Sequence, residues 1–204
     1  MKLKKDPTKI FWSSDLHLNH INLCRATSEW PDSEKCRDFT SIPHMNQTIL
    51  EGINDTVDEE STLFLLGDLL FGMNKDYVDL LSKIRCRDVR VIHGNHDNVN
   101  KLKLIGESYY GAEFKITING QYIHAYHHPS LSWENMSQGS IHLFGHVHSS
   151  IEQANGPVAD YMNERRCLDV GVDNAHHLLG QYIPFRFDWI IDRLSNHISN
   201  VRNF

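Results

Sequence analysis

The first half of the chain alternates between two hydrophobic patterns. Short, predominantly apolar runs predict buried strands at 10–14, 62–66 and 89–92. Between them, apolar residues recur every three or four positions over 44–57 and 77–84, which predicts two helices with one apolar face each. Strands that alternate with helices indicate an α/β core built from crossover units.

In the second half the apolar residues follow the two-residue period of a strand. Residues 113–118 and 121–126 alternate on either side of Asn119-Gly120, which predicts a hairpin with a tight turn. The parity of the second strand carries His127 to the apolar face of the hairpin. Pairing across the turn places these side chains on that face: Phe114, Ile116, Ile118, Ile123 and Ala125.

The remaining segments complete the predicted order of elements. Short strands are expected at 141–144 and 167–170, and a closing helix at 188–194, followed by a polar tail. Residues 18–42 are polar and irregular, so we expect a surface excursion rather than part of the core. No repeat or linker divides the sequence, and residues 1–204 are expected to form a single domain.

Charge and composition narrow the possible functions. The chain of 204 residues is 40% hydrophobic and 23% charged, with a formal net charge of −6. Proteins that bind nucleic acid usually carry a basic stripe on their surface, so the negative net charge disfavours stable nucleic-acid binding. An excess of acidic residues is compatible with binding of divalent cations.

Cysteine spacing and the lack of long apolar segments predict a cytoplasmic protein. The four cysteines form no CxxC pair, which favours reduced thiols over disulfides or a zinc finger. The basic N-terminus is not followed by the apolar region of a signal peptide. No segment approaches the about 18 apolar residues of a membrane span, so no membrane association is expected.

Polar residues with metal-binding chemistry follow the apolar runs at five places. A single pair such as Asp15 and His17 is more often a turn or a helix cap than a ligand set. Five such places at predicted strand ends are difficult to explain by chance, and they favour a shared site. They are Asp15-Leu16-His17, Gly67-Asp68, Gly94-Asn95-His96-Asp97, His127-His128 and Gly145-His146-Val147-His148.

The residue types at these places indicate which cations they suit. Oxygen and imidazole ligands without thiolate suit Mn, Fe or Zn better than Mg or Ca, which prefer oxygen alone. Seven ligands are too many for one tetrahedral site, but they fit two adjacent ions that share a bridging carboxylate.

In their order along the chain, the five motifs resemble those of the calcineurin-like metallophosphoesterases, and the resemblance spans residues 10 to about 175. It is closest to small bacterial and phage-type members, whose flanking motifs are similar to residues 14–22 and 168–173. The resemblance implies a four-layer αββα sandwich of two mixed β-sheets flanked by helices, with the site on strand-end loops. The hydrophobic pattern independently predicts its α/β first half and hairpin-rich second half.

The resemblance also implies a role for each candidate residue. One divalent transition-metal ion would take Asp15, His17, Asp68 and His148, and the other would take Asp68, Asn95, His127 and His146. His96 would bind no metal but would face the phosphate and either protonate the leaving oxygen or stabilise the transition state. Parity and the spacing to Pro129 favour His127 as the ligand, with His128 as the second choice.

These roles imply a phosphoesterase in which a hydroxide bridging two metal ions attacks phosphorus, with His96 as the acid. A small domain with a short excursion leaves an open site, which favours phosphodiesters of nucleotide size as substrates. A phosphomonoesterase or a nuclease with the same site remains an alternative, and a non-catalytic metal-binding scaffold is a third. Such a scaffold should have lost a ligand or the equivalent of His96, and none is missing.

Several other polar and aromatic residues have a structural interpretation beside a catalytic one. Asp97 is expected to accept backbone hydrogen bonds at the start of a helix. His20 could line the phosphate pocket or be an ordinary, partly buried polar residue. Trp30 and Trp133 lie in polar loops, where an aromatic ring more often pins a loop to the core than flanks a substrate base.

Overall fold

Two mixed β-sheets form the centre of the protein. The structure, a computed structural model, describes residues 1–148 and 150–197. The larger sheet has five strands in the order β1 (Lys2–Leu3), β5 (Glu113–Ile118), β6 (Gln121–Tyr126), β7 (Ile141–Phe144) and β8 (Cys167–Asp169). The smaller sheet has four strands in the order β4 (Asp88–Val91), β3 (Thr62–Leu65), β2 (Ile10–Ser13) and β9 (Phe185–Arg186).

The smaller sheet is built from the predicted crossover units. Helix α1 (Ile42–Thr56) connects β2 to β3, and α2 (Asn74–Lys83) connects β3 to β4, with all three strands parallel. The hydroxyl of Ser41 accepts a hydrogen bond from the backbone N–H of His44 and so caps α1. The strands and helices predicted in this half are confirmed to within three residues at their ends, the largest difference being the start of α2 at Asn74 rather than at residue 77.

Five further helices follow in the second half of the described chain. The helix predicted at 188–194 is confirmed as the last of them, whereas the predicted polar tail lies outside the described residues from 198 onward. The helices are α3 (Val99–Leu102), α4 (Ser150–Gln153), α5 (Pro157–Asn163), α6 (Val172–Leu179) and α7 (Phe187–Leu194).

The hairpin of β5 and β6 has the predicted register. Phe114 pairs with Ala125 and Ile116 with Ile123 across the antiparallel strands. Asn119 and Gly120 both adopt left-handed backbone conformations, with φ of 50° and 93°, as a tight primed turn requires. The predicted apolar face is therefore buried.

The layers stack as helix, sheet, sheet and helix. Helices α1 and α2 bury Ile49 and Leu80 against the outer face of the smaller sheet. The two sheets pack face to face, and the rings of Trp12 and Phe64 stack there with centroids 4.0 Å apart. Met162 of α5 lies in a third apolar cluster, which also contains residues of β7 and β8. The predicted layered α/β sandwich is confirmed.

The expectation for residues 18–42 is wrong in part. The segment is irregular, with short 3₁₀ turns, as predicted. Leu18, Cys24 and Phe39 nevertheless belong to the core beneath the helices, and Arg37 is only 5% exposed. The segment is therefore a packed structural element as well as a surface loop. Within the described part of the chain, no helix is both long and apolar enough to cross a membrane.

Candidate metal centre

The strands of the two sheets end at a common edge. Strands β2, β3 and β4 run parallel in the smaller sheet, as do β6, β7 and β8 in the larger one. A bridge between Ser14 and Gly171 joins the two sheets just beyond β2 and β8. Because the carboxyl ends of parallel strands lie together, the loops that follow them surround one crevice. The predicted metal ligands lie on these loops.

Most of the candidate ligands have an unusual backbone conformation. Of the eight non-glycine residues with positive φ in the described chain, five are predicted ligands. Such conformations cost free energy in residues with a side chain, and they persist where surrounding contacts impose them. The five, with their φ angles, are Asp15 (57°), His17 (48°), Asp68 (53°), His146 (72°) and His148 (50°).

Backbone hydrogen bonds hold the first two ligand loops against each other. The N–H of Asp15 donates to the carbonyl of Gly67 at 3.1 Å, and the N–H of His17 donates to the carbonyl of Asp68 at 2.9 Å. The loops after β2 and β3 therefore continue the pairing of their strands. This pairing fixes the spacing between the Asp15-Leu16-His17 motif and Asp68.

Two motif glycines leave room for the carboxylates. A Cβ atom at Gly94 would collide with Oδ1 of Asp68, and one at Gly145 would collide with Oδ2 of Asp15. The backbone N–H of His146 donates to both oxygens of Asp15, at 3.1 and 3.0 Å. The glycines before Asn95 and His146 thus allow close approach of backbone to carboxylate.

Asp15, His17 and His148 form one group able to hold a cation. Oδ1 of Asp15 lies 3.8 Å from Nε2 of His17 and 4.0 Å from Nε2 of His148. His17 is only 1% exposed, and this burial, with nearby Arg37, lowers its pKa to about 2. His17 is therefore neutral at physiological pH and has a lone pair available for a metal ion.

Asp15, Asp68 and His127 form a second group. Oδ2 of Asp68 lies 3.3 Å from Nε2 of His127 and 3.5 Å from Nε2 of His17. Burial of Asp68 opposes its ionisation. The hydrogen bond and charge of His127, the backbone N–H of His96 and nearby His17 together outweigh burial and lower the pKa of the carboxyl to about 2. Asp68 is therefore an anion that faces both groups.

Asn95 and His146 extend the second group. Oδ1 of Asn95 lies 3.0 Å from Nε2 of His127 and 2.8 Å from Nδ1 of His146. The structure thus brings all seven predicted ligands to one edge, with His127 rather than His128 in contact with Asp68. The imidazole of His128 lies beside them, with its centroid 4.4 Å from that of His146.

Hydrogen bonds orient two of the imidazoles. Nδ1–H of His127 donates to the carbonyl of Leu66 at 2.7 Å, which turns Nε2 toward Asp68. Nδ1–H of His148 donates to Oδ2 of Asp173 at 2.5 Å, which turns Nε2 toward Asp15. Burial alone would lower the pKa of His148, but the contact with Asp173 outweighs it and raises that pKa to about 9.

Asp173 and Arg37 support the site but were not predicted as site residues. The Arg37 guanidinium binds Asp173 through two hydrogen bonds of 2.8 Å and donates to the carbonyls of Leu16 and Asp15 at 2.8 and 2.6 Å. Burial disfavours the Asp173 anion, but Arg37 and His148 hold the pKa of this carboxyl well below its ordinary value. Asp173 closes the predicted 168–173 motif, which was the available signal, whereas Arg37 lies in the segment that was expected to be superficial.

The side chains present suit a divalent cation. Neither ring nitrogen of His17 has a hydrogen-bond partner although the ring is buried, and Nε2 faces the carboxylates of Asp15 and Asp68. A buried polar atom without a partner is costly. Bonds of about 2 Å to a transition metal would give this atom its partner between the two carboxylates.

His96 lies next to the ligands and is not one of them. Its imidazole centroid is 5.4 Å from that of His17, and its side chain is exposed at the mouth of the crevice. Its backbone N–H donates to Oδ1 of Asp68 at 2.8 Å. Asp97 accepts from the N–H groups of Asp68 and Gly94, so it is structural as predicted, although Asn98 rather than Asp97 caps α3.

Comparisons with known proteins show the fold and no named activity. No protein-family model matches the chain. It is 28% identical over 148 residues to an uncharacterised protein of Methanocaldococcus jannaschii, and the alignment covers 70% of each chain. The crystal structure of a protein of unknown function from Aquifex aeolicus superposes with a TM-score of 0.58. That pair is 20% identical and covers 86% of this chain and 94% of the Aquifex chain, a likeness of fold alone. The fold and site thus define a layered α/β protein with a candidate metal centre.

Proposed function

We propose that this chain is a calcineurin-like metallophosphoesterase that uses two divalent transition-metal ions to hydrolyse phosphoester bonds. The observation that carries the proposal is the convergence of two carboxylates, one amide and four imidazoles on one crevice, with His96 beside them. A set of oxygen and imidazole ligands without thiolate suits Mn, Fe or Zn.

In this proposal the ligands divide into two sets that share Asp68. One ion would be held by Asp15, His17, Asp68 and His148, and the other would be held by Asp68, Asn95, His127 and His146. The position of Asp68 supports a bridging role, because Oδ2 lies within 3.5 Å of both His17 Nε2 and His127 Nε2. Two such ions supply positive charge to a phosphoryl group and lower the pKa of bound water.

Three further residues, His96, Asp173 and Arg37, have roles beside those of the metal ligands in this proposal. His96 stands at the mouth of the crevice, where its imidazole meets the phosphate and gives a proton to the leaving oxygen. Asp173 and Arg37 act through His148 and the Asp15 loop, which they hold in place. The open crevice favours phosphodiesters of nucleotide size, and the buried free thiols support a cytoplasmic location.

Metal content and turnover test the proposal together. Purified, Mn-loaded protein is assayed on aryl phosphate monoesters and diesters, and metal is counted by mass spectrometry for wild type, Asp68→Asn and His96→Ala. We expect Asp68→Asn to lose metal from both sites. We expect His96→Ala to keep its metal but lose about 10²–10⁴-fold in kcat.

The control is His44→Ala, an exposed histidine of α1, which should keep both metal and rate. Absence of turnover on every ester in fully loaded wild-type protein would overturn the proposed activity. Loss of metal in His96→Ala to the extent seen in Asp68→Asn would overturn the role given to His96.

A further inference from the structure

Three aromatic rings form a continuous row beside the candidate metal centre. The His20 imidazole stacks on the Phe71 ring with centroids 4.2 Å apart and planes 25° apart. The Trp30 indole meets the other end of the row edge-on, 5.9 Å from His20 at 89°. We call Trp30, His20 and Phe71 the aromatic shelf.

The shelf directly adjoins the candidate catalytic groups. The Phe71 centroid lies 5.9 Å from that of His17, with nearly parallel planes, and 5.7 Å from that of His96. The His20 centroid lies 6.2 Å from that of His96. A ligand whose phosphate contacts His96 would therefore have these rings within reach of its remaining part.

The backbone fixes Phe71 next to the first ligand loop. Leu18 and Leu70 form a parallel bridge, and the N–H of Phe71 donates to the carbonyl of Leu18 at 2.8 Å. This pairing continues the one that joins His17 to Asp68. The position of Phe71 relative to the metal ligands is thus set by backbone hydrogen bonds rather than by a free loop.

Core packing does not account for the two outer rings. Trp30 is 43% exposed and Phe71 is 37% exposed, whereas Trp12 and Trp133 are 0% and 8% exposed. Trp133 is thus buried, as expected of a ring that holds a loop against the core, whereas Trp30 is not. Adjacent exposed apolar surface at the rim of a polar crevice is typical of a binding surface.

We propose that the aromatic shelf stacks against the base of a nucleotide whose phosphoester lies at the metal centre. The inference rests on the proposed phosphoesterase function and specifies its substrate class. Flat aromatic rings bind bases of any sequence through their π-faces. A nucleotide is favoured over a long nucleic acid because the chain has a net charge of −6.

A pair of substrates that differ only in the base tests the shelf. The first is the 4-nitrophenyl ester of thymidine 5′-phosphate, and the second is the same ester of 2-deoxyribose 5-phosphate, which lacks the base. We expect Phe71→Leu and Trp30→Leu each to lower kcat/KM for the thymidine ester about tenfold, mainly through KM. The ester without a base should change less than about twofold, since both substrates carry the same 4-nitrophenyl group and only the thymidine ester has a base to stack.

Tyr122→Leu is the matched control. Tyr122 is a partly exposed aromatic residue near the start of β6, at the opposite end of that strand from His127. The Tyr122→Leu variant should have the wild-type kcat/KM for both esters. Equal kcat/KM for the two esters in wild type, or equal losses on both in Phe71→Leu, would overturn the shelf and leave the phosphoesterase intact.

Binding provides a readout that needs no turnover. AMP should quench the fluorescence of Trp30 in Zn-loaded protein, ribose 5-phosphate should not, and Trp30→Phe should abolish the quenching. If neither ester is hydrolysed, the proposed function fails, and this AMP-specific quenching alone would still support a base-binding shelf. Absence of AMP quenching in wild type would overturn the shelf.

Discussion

At the scale of single residues, the candidate centre depends on backbone conformations that most side chains avoid. His17 and Asp68 both adopt positive φ, and His17 is buried with no hydrogen-bond partner for either ring nitrogen. Both features cost stability, because the left-handed region crowds the Cβ atom and an unpaired polar atom loses its hydration. Backbone pairing between the two loops and the Arg37 side chain hold this arrangement.

A substitution of Asp173 tests whether this carboxylate supports the candidate metal ligands. Asp173→Asn should lower the affinity for Zn²⁺ or Mn²⁺ about 10–100-fold, because the amide cannot match the charged hydrogen bond that orients His148 and it also loses the ion pair with Arg37. Isothermal titration calorimetry measures the change.

The control for Asp173 is Asp38→Asn. Asp38 also pairs with an arginine, Arg25, but its side chain is 80% exposed. This variant should bind metal as wild type does, since exposed ion pairs contribute little. Wild-type affinity in Asp173→Asn would show that His148 needs no support from this carboxylate.

At the scale of elements, the hairpin of β5 and β6 places a candidate ligand at the site. Its register places Ile123 and Ala125 on the buried face, and two residues further His127 lies on that face next to Asp68. A slip by one residue would turn every side chain of the strand over, His127 included. The turn that fixes the register therefore bears on the site.

Gly120→Ala tests the turn. Gly120 has φ of 93°, and a Cβ atom there would meet nothing within 4 Å, so the cost is one of backbone conformation alone. We expect the free energy of unfolding to fall by about 1–2 kcal/mol, measured by chemical denaturation.

Asn119→Gly separates the turn from its contacts. This variant keeps the left-handed turn but removes two hydrogen bonds between the Asn119 side chain and the backbone of Lys5. The change in its free energy of unfolding measures how much these two hydrogen bonds to the N-terminal segment contribute to stability. An unchanged stability in Gly120→Ala would mean that the left-handed conformation at this position is not required.

At the scale of the whole molecule, stability depends on pH through groups buried far from solvent. His142 of β7 is fully buried between Trp133 and Phe144, and its Nδ1–H donates to the carbonyl of His124. Burial lowers the pKa of His142 to about 4. The folded protein therefore leaves this imidazole neutral at a pH where the unfolded chain protonates it.

The sign of the effect follows from proton binding. Between pH 6.5, the ordinary value, and about 4, the unfolded state binds more protons at this position, so stability falls as the pH falls through this window. The slope contributed by His142 is at most about 1.4 kcal/mol per pH unit. His142→Phe should lose that part of the slope, as measured by denaturation at a series of pH values.

Phe144→Leu is the control for His142, because it disturbs the same cluster without removing a titrating group. It should lower stability while keeping the wild-type slope. A His142→Phe protein with the wild-type slope between pH 4 and 6.5 would contradict the assignment of that slope to His142.

Local sequence was sufficient to predict the elements and to single out the candidate ligands. Short apolar runs predicted β2, β3 and β4, and the two-residue period of apolar residues predicted the hairpin. Strands buried on both faces tend to be apolar throughout, whereas burial of one face imposes alternation. The order of the Asp, Asn and His motifs after these strands predicted the candidate ligands. The strand parity that selected His127 over His128 depends on sequence alone, and the structure places His127 next to Asp68.

Only the tertiary structure decided which distant residues support and surround the site. Arg37 lies in a polar, irregular segment without periodicity, and its burial against Asp15 and Asp173 arises from packing across more than 130 residues of chain. The shelf formed by Trp30, His20 and Phe71 is likewise invisible in the sequence, because two separate loops contribute its rings. Local patterns record which face of an element is buried. The contacts between loops depend on how the two sheets meet at their carboxyl edge, which no local pattern records.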